Sequence, residues 1–414
     1  MSYKSSFISG VAWNGTFKVL SKVVSAIKLA VLARLLTPRD FGVFSLVLVS
    51  ISLVEVFTES GINTILVQSQ KKIDEYISTA WIFSICRGVV ISVIMIAMAF
   101  LLSSYYKEPS LVQFILFASG IPLVRGFINP AIINFYKELD FKKDTFYRMS
   151  LVAVDFCAAI SAAFIFKNTY ALIIPIFFST VADVFISFYF VKVKPKFEFS
   201  RVIFKEIFHQ TKWLNNISIL DYLNKNLDNL IIGKILGTET LGFYQNAYAV
   251  TQSATSELGL SVIHASFPIY SRLSNDLVRL KTAFVKVAIS FSILLVIPTM
   301  ILVLFPQLIV KLQFGNQWVG LAAILPILAV SGYIQGLFNI GSTLFTVRRK
   351  YYFLSMVLAT TLVSMVIGIL VLTPKYGLIG GASSVLISRL VTLPIFFYFI
   401  IKTLKPKTTI DSQV

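Results

Sequence analysis

Long apolar stretches separated by short polar turns run through most of the chain. A helix needs about 20 mainly apolar residues to cross the hydrocarbon core of a bilayer. Twelve stretches have this character, near residues 10–36, 41–67, 78–104, 111–135, 146–166, 170–191, 213–236, 241–268, 283–305, 320–346, 352–373 and 377–401. The pattern predicts an all-α integral membrane protein with about 12 transmembrane helices.

The first of these segments recurs two hundred residues later without a gap. Residues 13–44 align with residues 213–244, and the matched pairs include Trp13 and Trp213, Leu20 and Leu220, Leu36 and Leu236, and Gly42 and Gly242. Because the offset places segment seven on segment one, each half of the chain holds six segments. We predict two pseudo-symmetric six-helix lobes at 1–191 and 213–404. A cytoplasmic connection at 192–212 joins them, and a cytoplasmic tail follows at 405–414.

The charge of the chain is strongly positive, although only 14% of its residues are charged and 57% are hydrophobic. If the N-terminus lies inside, five basic residues fall on the outer side, namely Arg39, Lys107, Lys167, Lys311 and Lys375. Nine lie within the segments, and the remaining 23 of the 37 face the cytoplasm. This asymmetry predicts a multi-pass membrane protein with both termini cytoplasmic. Topology therefore accounts for most of the positive charge, and no nucleic-acid partner is expected.

Nine basic residues inside apolar segments need another explanation. They are Lys18, Lys22, Lys28, Arg34, Arg87, Arg125, Lys225, Lys234 and Arg389. Segment one also carries Asn14, Ser21 and Ser25, which fall with its three lysines within about 120° of the helix circumference. A face this polar is costly in lipid, so it is predicted to line a solvated cavity. Snorkelling toward an interface is the alternative for Lys18 and Arg34.

Segment seven has a similar polar face, made by Asp221, Asn224, Lys225 and Asp228. The offset of two hundred residues puts this face where segment one has its own. We therefore expect segments one and seven to face each other across a central cleft. The alternative is a structural network of ion pairs between helices.

Acidic side chains also occur inside the segments. They are Glu55, Glu59, Asp155, Asp183, Asp221, Asp228 and Glu257. Glu55, Glu59, Asp221, Asp228 and Glu257 are candidate proton or sodium sites, because they are acids placed near basic groups; the alternative is that they only pair with lysines. The first half holds six of the nine cations against four acids, which favours an anionic solute.

Chemistry that forms covalent bonds is not expected. Cys86 and Cys157 lie in apolar segments, and His209 and His264 lack partners at metal-ligand spacing. We predict no catalytic residue, no metal and no cofactor. A membrane-bound polysaccharide polymerase or ligase would need a large outer loop, and the predicted outer loops are short.

Two sequence runs resemble the bacterial polysaccharide exporters. They are LTPRDFG at 36–42 and FPIYSRL at 267–273. These exporters are the O-antigen and exopolysaccharide flippases of the multidrug/oligosaccharidyl-lipid/polysaccharide exporter superfamily. The resemblance implies that undecaprenyl-pyrophosphate-linked oligosaccharide crosses the inner membrane by alternating access between two lobes. It also implies membrane lipid, and the polymerase and chain-length regulator of the same pathway, as candidate partners.

The resemblance also implies a cationic lumen that receives pyrophosphate and acidic sugars. In this chain the resemblance assigns the role of cationic lumen residues to Lys18, Lys22, Lys28 and Arg125. Polar groups that can bind sugar or line the same lumen are Asn14, Ser25, Asn224 and Lys225.

Two alternative functions come from the same superfamily. A cation or drug exporter would favour acids and aromatics without the lysines, and a lipid II flippase is usually longer.

Overall fold

The computed structural model describes residues 3–58, 73–138, 140–204 and 215–405, and within them it contains helices and turns but no β-strand. The chain divides into two compact units, Met1–Ile219 and Leu220–Val414. This boundary lies a few residues beyond the predicted connection at 192–212. The two lobes with their predicted limits stay a prediction.

Unit 1 contains eight helices in its described residues. They are α1 Tyr3–Leu35, α2 Pro38–Phe57, α3 Ile73–Tyr106, α4 Ser110–Ala118, α5 Gly120–Arg125, α6 Asn134–Lys137, α7 Phe141–Phe166 and α8 Tyr170–Phe190. A 3₁₀ turn at Pro130–Ile133 precedes α6. The segment boundaries predicted from hydropathy match α7 and α8 to within a few residues.

Unit 2 is built from six helices among the described residues. They are α9 Asn215–Arg272, α10 Leu277–Leu304, α11 Pro306–Gln313, α12 Val319–Ala322, α13 Leu325–Val347 and α14 Tyr351–Leu404. The long helices α9 and α14 are broken at Gly237 (φ 84°, ψ 172°) and Gly377 (φ 58°, ψ −136°). Such positive φ values favour glycine, which lacks a Cβ atom. Gly237 lies in the predicted turn between segments seven and eight, and Gly377 is the first residue of predicted segment twelve.

Six helices in the described part of the chain are long and apolar enough to cross a membrane. They are Tyr76–Tyr106, Phe141–Phe166, Tyr170–Phe190, Leu277–Leu304, Leu325–Val347 and Tyr351–Leu404. The prediction of an all-α integral membrane protein is confirmed. The number of about 12 crossings stays a prediction, since α1 and the first half of α9 are long but rich in charged residues.

Segment four is shorter than the predicted span of 111–135. Its helical part ends at Arg125, after an interruption at Ser119. Asn129 then takes an extended conformation, and its side chain accepts a hydrogen bond of 3.0 Å from the Ala131 N–H to start the 3₁₀ turn. Proline at 130 disfavours a helical conformation at the preceding residue, which accounts for the extended backbone of Asn129.

A capping box begins α2 at the predicted turn. The Thr37 hydroxyl accepts from the Asp40 N–H (3.3 Å), and the Asp40 carboxylate accepts from the Thr37 N–H (3.0 Å). Asp40 also accepts a hydrogen bond of 3.0 Å from the Thr169 hydroxyl. Arg39 Nη2 donates to both carboxylate oxygens of Glu108, at 2.8 and 2.9 Å. The turns after α1, α3 and α7 are therefore bonded to one another, and we call this set of contacts the turn latch.

The first part of the predicted connection packs on unit 1. Asn129 Nδ2 donates to the Val193 carbonyl (2.8 Å), and the Ser200 N–H donates to the Thr79 hydroxyl (3.1 Å). The Phe197 ring lies 4.8 Å from the Trp81 ring, centroid to centroid. Residues 191–200 are thus fixed to the start of α3 by hydrogen bonds and aromatic packing.

Candidate functional site

Two ion pairs within the predicted membrane segments of unit 1 join its helices in the described part of the chain, and we call them the unit 1 ion pairs. Lys28 Nζ on α1 lies 2.5 Å from Asp155 Oδ2 on α7, with side chains 28% and 24% exposed. Arg125 Nη1 at the end of α5 lies 2.5 Å from Glu55 Oε1 on α2, with side chains 45% and 26% exposed. The structure thus places an acid beside each of two predicted substrate-binding cations.

Close packing of α3 on α5 fixes the position of Arg125. A Cβ atom added to Gly88 would lie 2.5 Å from the Pro122 carbonyl oxygen. One added to Gly126 would lie 2.8 Å from the Ser84 carbonyl oxygen. Only residues without a side chain allow the two backbones to approach this closely. The glycines therefore bring the end of α5, and Arg125 with it, close to α3, whose Arg87 binds the end of α2.

Arg87 holds the C-terminal end of α2. Its Nη2 donates to the Glu55 carbonyl at 2.9 Å, and its Nε donates to the Thr58 hydroxyl at 3.2 Å. A cation at this position complements the negative end of the helix dipole. Arg87 therefore fixes the backbone of Glu55, while the Glu55 carboxylate is bound by Arg125.

The polar face predicted on α1 is largely exposed. Lys18, Lys22 and Ser25 are exposed, while Lys28 is half-buried. The apolar Val19 and Val23 are exposed as well, at 64% and 52%. They follow the lysines by one residue, which is about 100° around the helix, so α1 presents a polar face beside an apolar one. The side chain of Asn14 lies outside the described part of the structure.

The polar face predicted on segment seven divides into two environments. Lys225 Nζ lies 2.5 Å from Asp221 Oδ2, one turn away, and both side chains are exposed. Asn224 Nδ2 donates to the Leu358 carbonyl on α14 at 3.0 Å. Asp228, by contrast, is only 1% exposed. Asp228 therefore belongs to the interior of unit 2, whereas Asp221 and Lys225 belong to its surface.

A network of buried polar side chains surrounds Asp228. Its two carboxylate oxygens accept from the Tyr244 hydroxyl (2.6 Å) and the Asn229 N–H (2.8 Å). Arg389, which is 5% exposed, lies close enough for its charge to act on Asp228. Arg389 Nη1 donates to the Ser331 hydroxyl at 2.7 Å, and Arg389 also hydrogen-bonds Tyr248. The network connects α9, α13 and α14.

Sequence reasoning noted Arg389 but did not assign it to a site, and it missed Tyr244. A signal for Tyr244 was present in the internal repeat. At the offset of two hundred residues, Lys28 matches Asp228 and Phe44 matches Tyr244. The acid and the hydroxyl that binds it both appear only in the second copy. Because both residues differ from their counterparts in the first copy, the repeat could have indicated that Asp228 and Tyr244 are in contact.

Two other candidate acids are not placed by the structure. Glu59 lies outside the described residues, and so does the side chain of Glu257, whose backbone belongs to α9. Two acids not proposed as ion sites do have defined partners. Asp155 pairs with Lys28, and Asp183 accepts a hydrogen bond from the Tyr147 hydroxyl.

These features define a multi-pass α-helical membrane protein with charged and polar groups inside its helical units, and solved transporters share the fold. A lipid II flippase, MurJ, in its inward closed conformation matches with a TM-score of 0.75 at 13% identity, over 94% of this chain and 88% of that one. An inward-facing multidrug resistance MATE transporter matches with a TM-score of 0.71 at 17% identity, over 93% and 94%. At these identities the likeness shows the fold alone.

The chain belongs to the family described as polysaccharide biosynthesis protein, whose profile matches residues 31–323. Among its relatives is the lipopolysaccharide biosynthesis protein WzxC of Escherichia coli (strain K12), 26% identical over 84% of this chain and 72% of that protein. A putative O-antigen transporter of Shigella flexneri is 25% identical over 92% and 94%. The capsular polysaccharide biosynthesis protein CapF of Staphylococcus aureus is 24% identical over 92% and 96%. The family resemblance predicted from the sequence is confirmed.

Proposed function

We propose that the chain is a flippase that carries undecaprenyl-pyrophosphate-linked oligosaccharide units across the bacterial inner membrane by alternating access. The family and the names of its relatives support a role in moving polysaccharide units. The head group of such a lipid cannot cross unaided, because its hydroxyls and phosphates would lose their hydration in hydrocarbon. The carrier must therefore offer polar partners inside the membrane. The pathway's polymerase and chain-length regulator are further candidate partners.

The observation that carries the proposal is the pair of partly exposed cations in unit 1. Lys28 and Arg125 each lie in a helical unit that is otherwise strongly apolar, and each keeps part of its side chain accessible. Arginine presents a planar fork that suits phosphate, and lysine presents a hydrated point charge. Lys18 and Lys22 extend the basic face along α1.

Sugar hydroxyls need hydrogen-bonding groups besides these cations. We propose Asn14, Ser25, Asn224 and Lys225 for this role. Asn224 has restricted capacity, since its amide nitrogen already donates to the Leu220 and Leu358 carbonyls. Its Oδ1 atom is buried and has no hydrogen-bond partner among the described residues. Asn224 can therefore contact a sugar only after a local rearrangement that exposes its amide.

Flipping of a labelled lipid-linked oligosaccharide by the purified chain in vesicles tests the proposal. The wild-type chain should move the lipid between leaflets, and the double variant Lys18→Ala, Lys22→Ala should not, while its amount in the vesicles stays unchanged. Lys311→Ala is the control, because it removes an exposed lysine on α11 in the other unit. A wild-type chain without flipping activity, or a double variant with full activity, contradicts the proposal.

A further inference from the structure

We propose that Glu55 and Asp155 are internal counter-ions which the anionic groups of the substrate displace from Arg125 and Lys28. The inference rests on the proposed function and adds a role for two carboxylates in binding and release. It predicts that these acids compete with the substrate for the same cations. Removing them should therefore strengthen substrate binding, which is the opposite of what a direct binding role would give.

The contact between Arg125 and Glu55 uses little of the guanidinium. Arginine has five N–H donors, and it can bind two oxygens of a phosphate or carboxylate at once. Among the described residues Arg125 makes one hydrogen bond, from Nη1 to Glu55 Oε1, and its side chain is 45% exposed. An incoming anion can therefore approach Arg125 and use the remaining donors before Glu55 leaves.

Other arginines of the chain show what a permanent contact looks like. Arg39 binds both oxygens of Glu108, whose side chain is 8% exposed and also accepts from the Ser110 hydroxyl. Arg87 is held by a backbone carbonyl and a hydroxyl at the end of α2. Arg125 is less exposed than Arg39 (45% against 62%), and it differs from both arginines in making a single hydrogen bond, to a carboxylate that is 26% exposed. This difference indicates an exchangeable pair rather than a fixed one.

Lys28 and Asp155 repeat the same arrangement on α1 and α7. An ammonium group has three donors, and in the described structure Lys28 uses one of them, on Asp155 Oδ2. Both side chains keep about a quarter of their surface exposed. Lys28 also continues the basic face of Lys18 and Lys22. An anionic group of the substrate can therefore exchange with Asp155 as it can with Glu55.

The free energy of the ion pairs allows this exchange. In the solvated cavity of the proposed flippase, a partly exposed ion pair contributes only about 0–1 kcal/mol, because water screens it. Replacing such a pair with a contact between the cation and a phosphate therefore costs little. The carboxylates thus keep the cations neutralised at a small cost to substrate affinity. When the carboxylates return to the cations, they help to expel the anion.

Asp183 provides a fixed charge near the same site. Its carboxylate accepts from the Tyr147 hydroxyl, and the charge of Arg125 acts on it. Because Tyr147 is buried and bonded to it, Asp183 is held in place. We therefore assign the exchange to Glu55 and Asp155.

Binding of geranyl pyrophosphate to the detergent-purified full chain tests the exchange, with geraniol as the uncharged probe. Glu55→Gln and Asp155→Asn should each bind geranyl pyrophosphate about fivefold more tightly than the wild type and release it more slowly. Arg125→Ala and Lys28→Ala should bind it more weakly. Glu108→Gln is the matched control and should bind as the wild type does. Binding of geraniol should not change in any variant.

The outcomes separate this inference from the proposed function. If the wild type binds and flips but both acid variants bind equally well or more weakly, the exchange is wrong and the flippase proposal stands. If the wild type neither binds the pyrophosphate nor flips the lipid, both proposals fail. The two acid variants act on separate helix pairs, so a folding defect in one leaves the other to decide.

Discussion

Lysine at position 28 and aspartate at position 228 occupy matching places in the internal repeat, yet their surroundings differ. Lys28 is partly exposed and bound to one carboxylate, while Asp228 is buried and bound by a hydroxyl, a backbone N–H and a nearby arginine. The same repeat position thus holds a partly exposed lysine in unit 1 and a buried aspartate in unit 2. This contrast supports placing anion recognition in unit 1.

Tyr244→Phe tests the structural importance of the buried network. The change removes the hydroxyl that donates to Asp228 and leaves the aromatic ring. Loss of a partner to a buried carboxylate should destabilise the protein by about 1–3 kcal/mol. Thermal unfolding of the detergent-purified protein measures this. Tyr398→Phe, at an exposed tyrosine on α14, should leave the melting temperature unchanged; equal melting of both variants and the wild type would contradict the role of Tyr244.

Replacing Asp221 and Asp228 with asparagine tests ion coupling. If either acid binds a transported proton or sodium ion, the double variant should lose the dependence of flipping on an imposed pH or sodium gradient. Glu55, Glu59 and Glu257 are the other candidates for this role. Flipping in vesicles with defined gradients is the measurement. Wild-type gradient dependence in the double variant would make both aspartates structural.

At the scale of elements, glycine contacts determine how closely helices approach. Gly88→Ala should push α3 away from α5, because the new methyl group would meet the Pro122 carbonyl. Overpacking of this kind costs about 1–3 kcal/mol, and the shift should also weaken pyrophosphate binding through Arg125. Gly15→Ala is the control, since no atom lies within 4 Å of its added Cβ. We would measure the melting temperature and the pyrophosphate binding of both variants. If Gly88→Ala matches Gly15→Ala in both measurements, the close packing of α3 on α5 is wrong.

Sequence patterns predicted the helices well and their contacts poorly. The hydropathy of α7 is a local property, so its bounds could be read directly from the sequence. Segment four was predicted too long because its apolar run continues past Pro130. The partners of Lys28 and Arg125 could not be identified, because Asp155 and Glu55 lie far away in sequence and only packing brings them near.

At the scale of the whole molecule, the distribution of loop charges predicts the orientation in the membrane. Reporter fusions after Lys107, Lys311 and Lys375 should all report an outer location, because few basic residues lie on that side. Fusions truncated after Lys205 and Arg349 serve as controls and should report the cytoplasm. A cytoplasmic signal at any of the three outer positions would require a different topology.

The turn latch has a mechanical consequence for unit 1. Arg39 with Glu108, and Asp40 with Thr169, tie together three turns at one end of the unit. These contacts hold one end of α1, α3 and α7 at a fixed spacing. Lys28 and Asp155 lie further along α1 and α7, and no contact of the turn latch includes them. Loosening the turns should therefore lower the stability of unit 1 and leave the exchange at Lys28 unchanged, which is why Glu108→Gln serves as a control.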